Sequence, residues 1–121
     1  MITEDYVSFE TAKLLKEKGF DEPCHALYHE GDDKIFFGLD VDSYHNTILN
    51  VDCYACPTLQ MTMKWLREAH NIDISVTPDR KAGYSVLIFK DKRLPFDTLD
   101  SYSIYEQACE AAIKYCLEKL I

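Results

Sequence analysis

The feature that most constrains this chain is the apolar stripe near its C-terminus. Tyr105, Ala108, Cys109, Ala112, Ile113, Cys116, Leu117 and Leu120 recur at helical spacing and form one broad face. Glu106, Glu110, Lys114 and Glu118 fall opposite or beside it. Such a helix draws most of its stability from packing that face against another layer. Ser103-Ile104-Tyr105-Glu106 just before it reads as a capping box, in which the serine caps one free amide and the glutamate reaches back to another. The remaining residues must supply the layer it packs on.

Short strand-like runs supply it. Ile72, Ile74 and Val76 alternate with polar residues, and Tyr84–Lys90 is more continuously apolar, so these two runs joined by "PDRKA" predict a hairpin. An earlier hairpin is predicted over His25–His29 and Lys34–Leu39, around Gly31-Asp32-Asp33. Asp40–Cys56 is polar and poorly periodic and reads as a loop, with a short strand at Thr47–Val51; "DKRLPFDTLDSY" reads as a second loop. Two further helices are expected. The first follows Ser8, a cap whose hydroxyl can accept from a first-turn amide, with Val7 packing on Ala12 and Gly19 at its end. The second runs from Leu59 to about His70, capped by Thr58 and ended by Asn71; Leu59, Thr62, Met63, Leu66 and Ala69 share one face, with Met61 and Trp65 to one side. The order is α-β-β-α-β-β-α. It predicts a single α+β domain over residues 1–121, with helices on a mostly antiparallel sheet of about four strands.

Composition narrows the function. At 121 residues the chain buries roughly two-thirds of its unfolded surface and needs no staples. Thirteen basic against twenty-one acidic residues give a net charge of -8, which argues against nucleic-acid binding and against an anionic membrane surface. The same charge serves solubility, or an acidic surface that imitates nucleic acid or docks on a basic partner. No apolar run reaches the length of a membrane span, and "MITEDYVSFE" is not a signal peptide, so a cytoplasmic protein is expected. Five cysteines (24, 53, 56, 109 and 116) are an odd number for a disulfide framework, and Cys109 and Cys116 fall within the apolar stripe.

The sharpest chemical question is Cys53-Tyr54-Ala55-Cys56, just before a helix N-terminus, where amides and the dipole stabilise a thiolate. A redox reading meets three obstacles: the helix starts after the second cysteine, no parallel-type strand precedes the motif, and no second proline can be assigned to the substrate side. A zinc reading would add Cys24, His25 or His45 as ligands, but the spacing matches no standard finger. Two unremarkable loop thiols are the plain alternative. Asp40, Asp42 and Asn46 have calcium-like spacing but lack the glycine and the final acid of an EF-hand loop. His70 reads as a C-terminal cap; His25, His29 and His45 pair with no evident nucleophile, and no phosphate loop, zinc-protease helix or dinucleotide fingerprint is present. Met61 and Trp65, one turn apart, are with Tyr84, Phe89 and Phe96 either core or an exposed patch for a partner. The patch reading makes Met61, Trp65 and Tyr84 the binding residues.

Three stretches carry a resemblance: "MITEDYVSFETAKLLKEKGFDEPC", "PTLQMTMKWLREAHNI" and "YEQACEAAIKYCLEKLI". They resemble a family of short uncharacterised proteins of Bacteroides-type gut anaerobes and of their phages and mobile elements. The resemblance covers roughly half the chain and omits the Cys53/Cys56 pair. It implies an origin in a phage or mobile element, or in a genome that hosts them, and transfers no catalytic residue, so the chain is read as a non-enzyme without a cofactor. The expected function is a small protein-binding or regulatory module, with a protein partner or self-association. Two alternatives stand beside it: an acidic inhibitor imitating nucleic acid toward a host enzyme, and a thiol-redox or zinc protein using Cys53 and Cys56.

Overall fold

The computed structural model describes residues 1–38, 44–81, 83–93, 95 and 97–121. Among the described residues it is a mixed α+β structure with three α-helices and two three-stranded antiparallel sheets. The chain divides into two compact units, Met1–Thr58 and Leu59–Ile121. The expected sheet of about four strands is thus replaced by two sheets of three, because each expected hairpin gains a third strand.

In the first unit, α1 spans Phe9–Glu17. Ser8 caps it as expected, its hydroxyl accepting from the Thr11 amide at 3.3 Å. At the other end Gly19 adopts φ +90°, which a side chain would resist. There the Phe20 amide donates to Leu15 O at 2.9 Å and the Gly19 amide to Lys16 O at 3.2 Å, the paired bonds of a Schellman ending. That ending turns Phe20 into the interior, where it is 1% exposed. The strands are β1 Ala26–His29, β2 Phe36–Phe37 and β3 Cys53–Ala55, in the order β2-β1-β3. The β1–β2 hairpin falls where the sequence placed it, but β2 is shorter than the expected Lys34–Leu39: Lys34, Ile35 and Gly38 are not in the strand, and Leu39 lies outside the described residues. One face of the sheet carries Tyr28 and Tyr54, directly opposite each other across β1 and β3. Both rings stand edge-on to Phe9 of α1, with centroids 5.6 Å away.

The third strand is not where the sequence placed it. Thr47–Val51 is turn and bend, and β3 begins two residues later at Cys53. Side chains hold the turn. Asp21 accepts from the Thr47 amide at 2.8 Å and from its hydroxyl at 3.0 Å. Buried Asn46 donates to Phe20 O at 2.8 Å and accepts from the Ala55 amide at 2.9 Å. Such side-chain bonds give the backbone an alternative to a ladder. Cys53 and Cys56 are therefore not loop thiols: Cys53 opens a buried strand, and the Cys56 amide still bonds to Ala26 O of β1 at 2.9 Å.

In the second unit, α2 spans Leu59–His70 and buries Leu59, Thr62, Met63 and Leu66; Ala69, expected on that face, is exposed. Asn71 ends it at φ 55°. The strands β4 Ile72–Asp79, β5 Gly83–Lys90 and β6 Asp97–Tyr102 follow in that order across the sheet. The β4–β5 hairpin is as expected, but the sequence read β6 as loop. Polar in pattern, β6 is recruited by backbone pairing with β5 at an edge, where apolar alternation is not required. Gly83, at φ +98°, allows the close approach there: a Cβ on it would collide with the Tyr102 carbonyl. The last helix, α3, spans Tyr105–Tyr115 and passes into a π-helical turn at Cys116–Leu120. Its stripe is confirmed, with Ala108, Cys109, Ala112, Ile113, Cys116, Leu117 and Leu120 all buried. The capping box is not. Ile104, not Ser103, occupies the cap position, and its side chain makes no capping hydrogen bond. The helix starts one residue later than the motif requires.

Candidate functional site

Strand pairing in the first unit assembles chemistry that spacing alone concealed. His29 and Cys53 are direct partners across β1 and β3, so both side chains leave the same face. Cys53 Sγ lies 3.4 Å from His29 Nδ1 and 3.8 Å from Asp52 Oδ1. A thiol, an imidazole and a carboxylate side by side suggest a nucleophile, but the electrostatics oppose it. Burial and then the adjacent Asp52 carboxylate push the Cys53 thiol above its ordinary value, against a smaller pull from Lys16. The thiol is protonated near neutrality, and only the thiolate is a good nucleophile. Lys16 itself is committed to the backbone, donating to Cys53 O at 2.7 Å and Asn50 O at 2.9 Å, and its ammonium lies 5.2 Å from the centre of the Tyr54 ring.

Cys56 does not join Cys53. Three residues of extended chain separate their Cα atoms by roughly 10 Å, beyond disulfide reach, and turn the two side chains to opposite faces. Cys56 is fully buried and its Sγ donates toward Val7 O at 3.6 Å. All five cysteines are free thiols. Of the other residues considered for zinc, Cys24 and His45 have surroundings of their own. Cys24 is buried, with its thiol pushed up to about 12 mainly by burial, and His45 Nδ1 sits 3.3 Å from Asp21 and 3.1 Å from Thr47. Among the described residues no group of three or more His, Cys, Asp or Glu side chains could hold a metal ion. Asp40 and Asp42, of the calcium-like run, lie outside the described residues, and Asn46 is committed to two backbone groups.

The aromatic residues singled out from the sequence fall into separate contacts in the second unit. Met61 and Trp65 are half-buried on α2; the Trp65 ring meets His70 edge-on at 4.8 Å. Tyr84 on β5 is half-buried and meets Tyr105 of α3 edge-on at 5.6 Å. Phe96 lies outside the described residues.

Among the described residues the most exposed aromatic pair lies elsewhere, on β2. Phe36 and Phe37 are 58% and 57% exposed. Consecutive strand residues point to opposite faces, so the edge presents one ring on each. Each meets an aromatic neighbour edge-on: His29 on Phe36 at 5.2 Å, Tyr6 on Phe37 at 5.4 Å. Among the described residues β2 is a border strand, with β1 on one side only. The Gly38 amide bonds back to His25 O at 2.8 Å; by the alternation of an antiparallel ladder, the N–H and C=O of Phe37 then point outward. The sequence carried a signal for this. Two adjacent phenylalanines in a strand cannot both face one core.

Charge is partitioned as unevenly as exposure. Residues 1–58 hold twelve acidic and four basic side chains, and residues 59–121 hold nine of each. The whole net charge of -8 therefore belongs to the first unit.

Comparison with protein-family models, curated proteins and solved structures found no match to this chain. Among the described residues no helix is long and apolar enough to cross a membrane.

Proposed function

We propose that this protein is a small, non-catalytic protein-binding or regulatory module acting in the cytoplasm, with the β2 edge as its contact surface. The observation that carries the reading is the exposed Phe36-Phe37 pair on a border strand with an outward-facing backbone. Large aromatic residues are enriched at protein contacts, and an open edge offers main-chain hydrogen bonds to an added strand. A strand of two residues is short enough to resist indiscriminate pairing. The resemblance to short proteins of Bacteroides-type anaerobes and their mobile elements adds to this reading an origin in such an element, and carries no activity over. The test is paired affinity capture with the wild-type protein and the double variant Phe36→Ser/Phe37→Ser, alongside native mass spectrometry for self-association. A partner or second copy held by the wild type and lost from the folded variant is the expected result. Equal recovery from both would remove β2 as the surface and return attention to Met61, Trp65 and Tyr84, with Trp65→Ala the next variant.

The concentration of acidic charge in the first unit favours a second reading, an inhibitor that imitates nucleic acid toward a basic enzyme. Titrating this protein into a complex of duplex DNA with a basic DNA-binding protein tests it. DNA that stays bound throughout ends that reading.

A further inference from the structure

We infer that the β2 edge takes an extended, cationic protein segment, one that places arginine or lysine side chains over Phe36 and Phe37 while its backbone pairs with Phe37. The inference rests on β2 being the contact edge and names the chemistry of what fills it.

Three observations converge on that occupant. First, the geometry suits a strand. The two rings lie on opposite faces of the sheet, so two consecutive residues of an added strand would each meet one ring. Second, the rings are held edge-on by His29 and Tyr6, which leaves more than half of each accessible. A guanidinium or ammonium over an aromatic face is attracted by the ring quadrupole, and its methylene stem covers apolar surface on the way. Third, the surroundings are acidic on both sides. The hairpin leading into β2 exposes Asp32 and Asp33 beside Lys34, and the Glu30 at its start pairs with Lys13. On the other side, exposed Glu4 and Asp5 immediately precede Tyr6, the residue that touches Phe37. The unit's net charge of -8 extends the same field. An acidic or neutral strand would find the apolar contacts but not the charge; a cationic one finds both.

The experiment uses the full chain, isotopically labelled, and three synthetic hexapeptides: Val-Arg-Arg-Val-Arg-Arg, whose consecutive arginines reach both faces, and its counterparts with serine or glutamate in place of arginine, called the Arg-Val, Ser-Val and Glu-Val peptides. Amide shifts are followed on titration. The expected result is that the Arg-Val peptide moves the amides of Phe36, Phe37 and Gly38. It should bind about tenfold more tightly than the Ser-Val peptide and lose about tenfold in affinity between about 50 and 300 mM salt. The quadruple variant Glu4→Gln/Asp5→Asn/Asp32→Asn/Asp33→Asn changes only exposed residues and should abolish that preference while leaving the spectrum folded. If the Ser-Val or Glu-Val peptide moves the β2 amides as strongly, the cationic occupant is wrong and the contact edge stands. If the Arg-Val peptide moves amides only away from β2, the inference fails. If no peptide moves them at all, the edge itself is wrong.

Discussion

A buried thiol next to an imidazole shows how environment outweighs residue type. Cys53 has the partner of a catalytic cysteine in His29, yet burial and then Asp52 hold its proton on. Reaction of the native protein with a thiol reagent should therefore rise only above the usual range of about 8.5 for an exposed cysteine. Cys24 and Cys116, both pushed to about 12 mainly by burial, should react only after unfolding. Fast labelling of Cys53 at neutral pH would contradict the arrangement. Polar side chains are as decisive where they close a backbone account. Asn46 satisfies both the Phe20 carbonyl and the Ala55 amide while itself buried. Replacing Asn46 by Ala strands two buried groups and should cost on the order of 2–4 kcal/mol, read as a lower urea midpoint with an unchanged slope.

At the scale of elements, the turns and edges carry the fold more than the strands do. β5 and β6 meet beside Gly83, whose positive φ and lack of a Cβ permit the approach of the Tyr102 carbonyl. Gly83→Ala should destabilise the protein by on the order of 2 kcal/mol or more, since backbone rather than a flexible side chain must move. Thermal unfolding followed by circular dichroism would show it, and an unchanged midpoint would mean the strands can part there without cost. The start of α3 makes the converse point. Ser103 and Glu106 look like a capping box but are one residue out of register, and the residue at the cap position, Ile104, makes no side-chain capping bond. Ser103→Ala should therefore leave stability nearly unchanged, whereas Ser8→Ala at the start of α1 should cost about 1 kcal/mol.

For the whole molecule, charge sets the response to solution conditions. Asp21 is held below the ordinary carboxylate range, chiefly by the Thr47 amide; Glu30 is held low chiefly by the Tyr54 hydroxyl and then by Lys13. A carboxyl whose folded value is depressed contributes stability above its unfolded value and loses it as pH falls through the folded one. Stability should thus fall as pH drops below about 4, and the Asp21→Asn variant should show a shallower decline. Asp21 and Glu30 are both open to solvent, so the slope is shared among many carboxylates. The repulsion within the first unit adds a salt effect of opposite sense to its binding: added sodium chloride should raise the melting temperature of the free protein. A fall on adding salt would mean that ion pairs such as Lys13–Glu30, at 3.3 Å, outweigh the repulsion.

Periodicity by itself determined the α3 stripe, the α2 helix from Leu59 to His70, the β4–β5 hairpin and the Ser8 cap, because each is encoded by neighbours within a turn or a pleat. Spacing alone also located the Phe36-Phe37 pair on a strand, though not its exposure. Tertiary structure decided the rest. β3 and β6 exist because another strand offers them hydrogen bonds, not because their side chains alternate. The pairing of His29 with Cys53, the separation of Cys53 from Cys56 and the border position of β2 depend on strand order and register. These are long-range choices, made by which backbones meet, and no local pattern in the chain specifies them.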